Sequence, residues 1–167
     1  MSQPYLSTVP PDSGLLSQSA DADFYDSWSV QPADAGISTF AALQAVFLRS
    51  PRWITLAMTI RNKLVRLAGL KDLGGFGNID RRKPLSAYRP GDRLGIFTLI
   101  SIADNEIIMG DDDKHLNVQV SVFRDWQRNL VTVTTVVHTK NWLGRLYMIP
   151  VKPAHRRIVP ASLRVLA

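Results

Sequence analysis

The chain has 167 residues, no cysteine, a formal net charge of +6 and an apolar fraction of 46%. That length fits one domain with a real core, and the missing cysteines exclude disulfides, thiolate catalysis and cysteine-based zinc sites. No apolar run approaches the roughly 18 residues that span a bilayer, and residues 1–20 lack the basic start and apolar block of a signal peptide, so a cytoplasmic protein is expected.

Charge is spread unevenly. Up to Asp34 there are five aspartates and no lysine or arginine, whereas beyond Lys140 every charged residue is basic: Arg145, Lys152, Arg156, Arg157 and Arg164. Such a balance attracts anionic partners. No Lys/Arg block is long enough to read as a binding tail, so a solvated basic surface is the simpler expectation and nucleic acid is not the expected partner.

In chain order, residues 1–20 are rich in Ser, Pro and Gln, the composition of a poorly ordered arm. Residues 21–167 are expected to form a single domain. Aromatic content predicts a first strand over 23–30. Ser38 is a good N-cap for a helix over 39–48, where Phe40, Leu43, Val46 and Phe47 make an apolar face. Ser50-Pro51 then starts a second helix, with proline at the position where its missing N–H costs nothing. Trp53, Leu56, Ile60, Leu64 and Leu67 recur at helical spacing as far as Gly69. Residues 71–93 hold Gly74, Gly75, Gly77, Pro84, Pro90 and Gly91 with the basic cluster Arg81-Arg82-Lys83. A connection this long without regular structure reads as a lid, a binding loop or disorder. It lacks the Gly-Lys-Ser/Thr ending of a phosphate loop.

From Leu94 the period changes to two. Strands are predicted over 94–102, 106–109, 115–123 and 130–139, joined by short turns as an antiparallel meander. The stretch 110–122 opens as a charged turn, Gly110-Asp111-Asp112-Asp113-Lys114, and becomes a strand. In it Leu116, Val118, Val120 and Val122 share one face, expected on the core, and His115, Asn117, Gln119 and Ser121 share the other, expected in solvent. Apolar spacing predicts a C-terminal helix over 143–167, interrupted by Pro150, Pro153 and Pro160. Each interior proline costs about 3 kcal/mol, so a kinked or segmented helix is expected.

Strand, two helices, antiparallel strands and a long last helix resemble the START-like, or helix-grip, fold of the SRPBCC and polyketide cyclase-like superfamily. Local motifs resemble a bacterial family described as a domain of unknown function, number 2867. They are Asp23-x-x-Asp26-Ser27, Pro51-x-Trp53, Arg61-Asn62-x-Leu64-Val65 with Gly69-Leu70, and Gly110-Asp111-Asp112-Asp113-Lys114-His115-Leu116. Further along come Thr134-Thr135-Val136-Val137, Asn141, Gly144-Arg145-x-Tyr147 and His155-x-x-Ile158-Val159. The resemblance implies an α+β domain: a curved antiparallel sheet with two short N-terminal helices and a long kinked C-terminal helix. It also implies a site for a small apolar molecule between sheet and helix. The family is found attached to NAD(P)-binding modules, but no Gly-x-Gly-x-x-Gly occurs here, so no cofactor is expected.

The candidate residues follow from that picture. A ligand cavity is expected to involve Trp53, Phe97, Leu116, Val118, Val120, Val133, Thr135, Val137, Tyr147, Val151 and His155, with residues 71–93 at its mouth. Trp126 and Trp142 are further candidates to line or gate it. A polar cluster is expected from Asp23, Asp26 and Arg61, with His115 at the joint between charged turn and strand. Three consecutive carboxylates in a tight turn rarely converge on one point, so no metal is expected there. His138 and His155, if they face each other across the cavity, make a conceivable acid/base pair. Three readings stand: a binder of a small apolar molecule, a cyclase- or dehydratase-type enzyme using His155 or His138, and a basic surface module for anionic partners. Fold-level analogy alone does not choose among them.

Overall fold

A computed structural model of the chain describes residues 2–48 and 84–167. The sheet is antiparallel throughout, seven strands in the order β1-β2-β7-β6-β5-β4-β3. The strands are β1 (Tyr5–Leu6), β2 (Phe24–Val30), β3 (Arg93–Leu94), β4 (Phe97–Ile102), β5 (Glu106–Asp112), β6 (Leu116–Asp125) and β7 (Leu130–Thr139). The helices are α1 (Leu16–Ser19), α2 (Thr39–Leu48) and α3 (Trp142–Leu163), with short 3-10 turns at Leu85–Ala87 and Arg164–Leu166. Among the described residues no helix is long and apolar enough to cross a membrane.

Period two decides which face each side chain joins. Phe24, Asp26, Trp28 and Val30 pair across β2 and β7 with Val137, Thr135, Val133 and Val131. Those β7 residues pair in turn with Val118, Val120, Val122 and Arg124 of β6. These rows form one face, called here the helix face. α3 lies over its β2 and β7 side and α2 over its β5 and β6 side. Val30, Leu43, Leu99, Ile107, Met109, Val122, Val131 and Leu163 are fully or almost fully buried in the core between. The Ser38 hydroxyl caps α2 by accepting the Ala41 N–H at 3.2 Å. The second helix expected from Pro51 to Gly69 lies outside the described residues, as do Trp53, Arg61 and the cluster Arg81-Arg82-Lys83.

The opposite face, expected in solvent, is largely covered. Residues 2–20, expected as a poorly ordered arm, run across it instead. β1 pairs with β2, and Leu15 is fully buried against Ile108 and Val136. Beneath lies a hydroxyl ladder: Ser7 to Ser29 at 2.8 Å, Ser29 to Thr132 at 2.7 Å and Ser27 to Thr134 at 2.7 Å. The anchor is Glu106, the only glutamate in the chain. Its carboxylate accepts from the hydroxyls of Ser13 and Ser121 and from the Gly14 N–H. Ser121 is consequently buried.

Three boundaries differ from expectation. The strand predicted over 94–102 is a hairpin, β3 against β4, because Gly95 takes a φ of 62° and turns the chain. β5 runs on to Asp112, so the charged turn shrinks to Asp113, Lys114 and His115. α3 is one continuous helix of 22 residues despite Pro150, Pro153 and Pro160. The carbonyls those prolines leave without an i+4 donor belong to Leu146, Ile149 and Arg156, all on the exposed side of the helix, where water can satisfy an unpaired carbonyl.

Candidate functional site

Asp26 and Thr135 face each other across β2 and β7 on the helix face, both buried. This polar step lies between two apolar clusters that meet at Val118. On one side lie Phe24, Val137 and Met148, with Leu116, Val118, Tyr147 and Val151 packed against them. On the other lies the main core with Phe97, Val120 and Val133. The buried edge of α3, read through Gly144, Met148, Val151, His155 and Val159, descends onto this step.

His155 meets the polar step directly. Its Nδ1 is 3.1 Å from Asp26 Oδ2, which also accepts the Trp28 indole N–H at 3.2 Å. A carboxylate accepts, so the neutral ring carries its proton on Nδ1 and leaves Nε2 as a lone pair. The ring stands edge-on to Phe24, centroids 5.6 Å apart at 85°, and its side chain keeps 21% exposure. Asp26 is different: at 5% exposure, its second oxygen, Oδ1, is buried with no hydrogen-bond partner among the described residues. Buried polar atoms are nearly always paired, and an orphaned one costs about 1–3 kcal/mol. This is the one such side-chain atom among the described residues.

Among the described residues, the other predicted polar side chains do not join this group. Asp23 lies at the sheet's end, where its carboxylate accepts the backbone N–H and hydroxyl of Thr139. The Thr139 N–H is the larger cause holding the Asp23 pKa below its ordinary value. His138 projects from the opposite face, its Nε2 3.2 Å from Asp21 Oδ1. It therefore does not face His155 across the helix side of the sheet. His115 sits in the β5–β6 turn beside the first turn of α3, its Nδ1 within hydrogen-bond range of the Asn141 amide.

That turn forms a latch on α3. Asn141 caps the helix by accepting the Gly144 N–H and donates to the Lys114 carbonyl. The Lys140 N–H reaches the His115 carbonyl at 2.8 Å, and a Cβ on Gly144 would run into that same oxygen. The three aspartates diverge. Asp111 is buried on the helix face, 3.9 Å from Arg93. Asp112 pairs with Lys140, which holds its pKa below the ordinary value. Asp113 folds back on the N–H groups of His115 and Leu116.

Two expected lining residues point elsewhere. Trp142 is 71% exposed on the outer side of α3, and Trp126 packs under the guanidinium of Arg124 at 4.4 Å. Arg124 is itself almost fully buried. It donates to the carbonyls of Ile37, Asp125, Leu130 and Ala35 and to the Asn129 side chain, tying the β6–β7 hairpin to the entry of α2. Burial pulls its pKa below the ordinary arginine value.

Fold and site together define an α+β protein in which one long C-terminal helix packs on an antiparallel sheet. The chain belongs to the family described as Protein of unknown function (DUF2867), whose model matches residues 18–162. No curated protein and no solved structure gave a match.

Proposed function

We propose that the chain binds a small, mostly apolar molecule between the sheet and α3, with Asp26 and His155 as its polar contacts. The observation that carries this reading is the orphaned Asp26 Oδ1, set between two apolar clusters. A buried acceptor without a donor is the complement of a ligand hydroxyl, amine or amide N–H. The ligand is accordingly an apolar body with one donor. A START-like helix-grip arrangement belongs to the same reading. It is supported by β2 pairing with the last strand, β7, while β3 to β7 pair in sequence order and the last helix packs on β2 and β7.

The test is saturable uptake of a neutral apolar dye such as Nile red by the folded protein, and its displacement by a small-molecule extract of the host. Displacement that weakens in Asp26→Asn supports the proposal. Uptake that does not saturate, or displacement unaffected by that change, removes it.

The Asp26–His155 contact favours one second reading, an enzyme of cyclase or dehydratase type. A carboxylate on Nδ1 fixes the ring and leaves Nε2 to take a proton from a bound substrate. Retained dye displacement with lost turnover of the displacing compound in His155→Gln distinguishes the enzyme from the binder.

A further inference from the structure

The outer face of α3 carries an apolar stripe that no part of the described chain covers. Trp142, Leu146 and Ile149 are 71%, 52% and 68% exposed, and Pro153 continues the line. Spacings of four, three and four residues place them on one side of the helix, opposite the edge that enters the core. One turn further on, the same side becomes cationic with Arg156, Arg157 and Arg164, while Arg145 flanks the stripe. From Asn141 to the end there is no acidic residue. Arg156 and Arg157 are exposed and form no salt bridge among the described residues. Lys152 turns back toward the Asp23 carbonyl, and Asp23 is the carboxylate that Arg145 feels.

From this arrangement we infer that α3 docks flat on an anionic lipid surface, with Trp142, Leu146 and Ile149 entering the headgroup boundary and Arg156, Arg157 and Arg164 meeting the phosphates. An exposed helix with tryptophan and aliphatic residues on one side and arginines beside them suits a bilayer interface, where arginine stems lie on the apolar layer and their heads stay with phosphate. A second copy of the chain is a poorer occupant, since apposing two such faces brings arginines against arginines with no carboxylate from either helix. Docking leaves the opposite edge of α3, with Met148 and His155, on the sheet, so the inference stands apart from the proposed ligand site.

The experiment is co-sedimentation of the full chain with vesicles of phosphatidylglycerol mixed with phosphatidylcholine, and with phosphatidylcholine alone. Binding is expected only to the anionic vesicles, falling about tenfold or more between about 0.05 M and about 0.5 M salt. Trp142→Ser with Ile149→Ser is expected to abolish binding, and so is Arg156→Glu with Arg157→Glu. These positions are exposed, and unchanged melting curves confirm that each variant folds. Absence of the protein from the anionic vesicle pellet overturns the inference. So does undiminished binding by the Trp142→Ser, Ile149→Ser variant, or a lipid-free dimer that this variant dissociates.

Discussion

His155 and Asp26 are 129 residues apart in the chain and 3.1 Å apart in space. The contact joins the buried edge of α3 to a carboxylate held under it by the Trp28 indole. One oxygen of that carboxylate serves the imidazole and the indole, and the other has no partner among the described residues.

Asp26→Asn keeps the shape and removes the buried charge. Because one oxygen is already unpaired, the loss of its hydrogen bonds is offset by the smaller cost of burying an amide. Stability is expected to change by less than about 1 kcal/mol in urea denaturation, while ligand binding is lost. A large destabilisation would mean that the carboxylate is structural.

Gly144→Ala is expected to cost about 3 kcal/mol, because its Cβ meets backbone, the His115 carbonyl, so one of the two segments must shift. Gly36→Ala supplies the comparison. There the nearest atom is the Asp34 side chain at 3.3 Å on an exposed turn, and the change is expected to be near neutral. Urea midpoints for the two variants check the contrast.

Glu106→Gln replaces an acceptor of three hydrogen bonds with a group that accepts on one side only. A loss of about 2 kcal/mol is expected, concentrated in the N-terminal segment. Hydrogen exchange or limited proteolysis over residues 2–20 reads it, with the α3 amides little changed. Uniform loss across the chain would show that the segment is not separately anchored.

The sheet was legible because alternation is a local signal. Val131, Val133 and Val137 share one face of β7, and His138 lies on the other, away from His155. The N-terminal segment was not legible. Its composition is that of a disordered arm, and its anchor is one glutamate some ninety positions away, at the start of an apolar strand. That α3 runs unbroken through its prolines was not legible, because their cost depends on where the freed carbonyls lie, which linear sequence does not show. Asp26 and His155 were both singled out, but with other partners, since nothing in the spacing links a strand near the start to a helix near the end.

Asp23 contributes to stability in acid. The Thr139 N–H and hydroxyl hold its folded pKa below the ordinary value of 3.8. Its contribution is therefore fully present above that value and is lost as pH falls through the lower folded one. Asp23 is exposed, so the effect is small. Asp23→Asn is expected to flatten the fall in stability below about pH 4. An unchanged slope in acid titration of the two proteins would assign the fall to other carboxylates.

Arg124→Lys is expected to cost about 3 kcal/mol or more, because a single ammonium cannot reproduce a buried fork that donates to Ile37, Ala35, Asp125, Leu130 and Asn129. Thermal unfolding checks it, with the near-ultraviolet signal of Trp126 reporting the lost stacking.

The central claim is that Asp26 Oδ1 is completed by a ligand donor, and native mass spectrometry of the protein purified from its own host tests it most directly. The account predicts wild-type protein carrying one small molecule that is released on denaturation, and Asp26→Asn protein at its bare mass with an unchanged melting curve. A wild-type protein at bare mass, or equal occupancy in the variant, would contradict it.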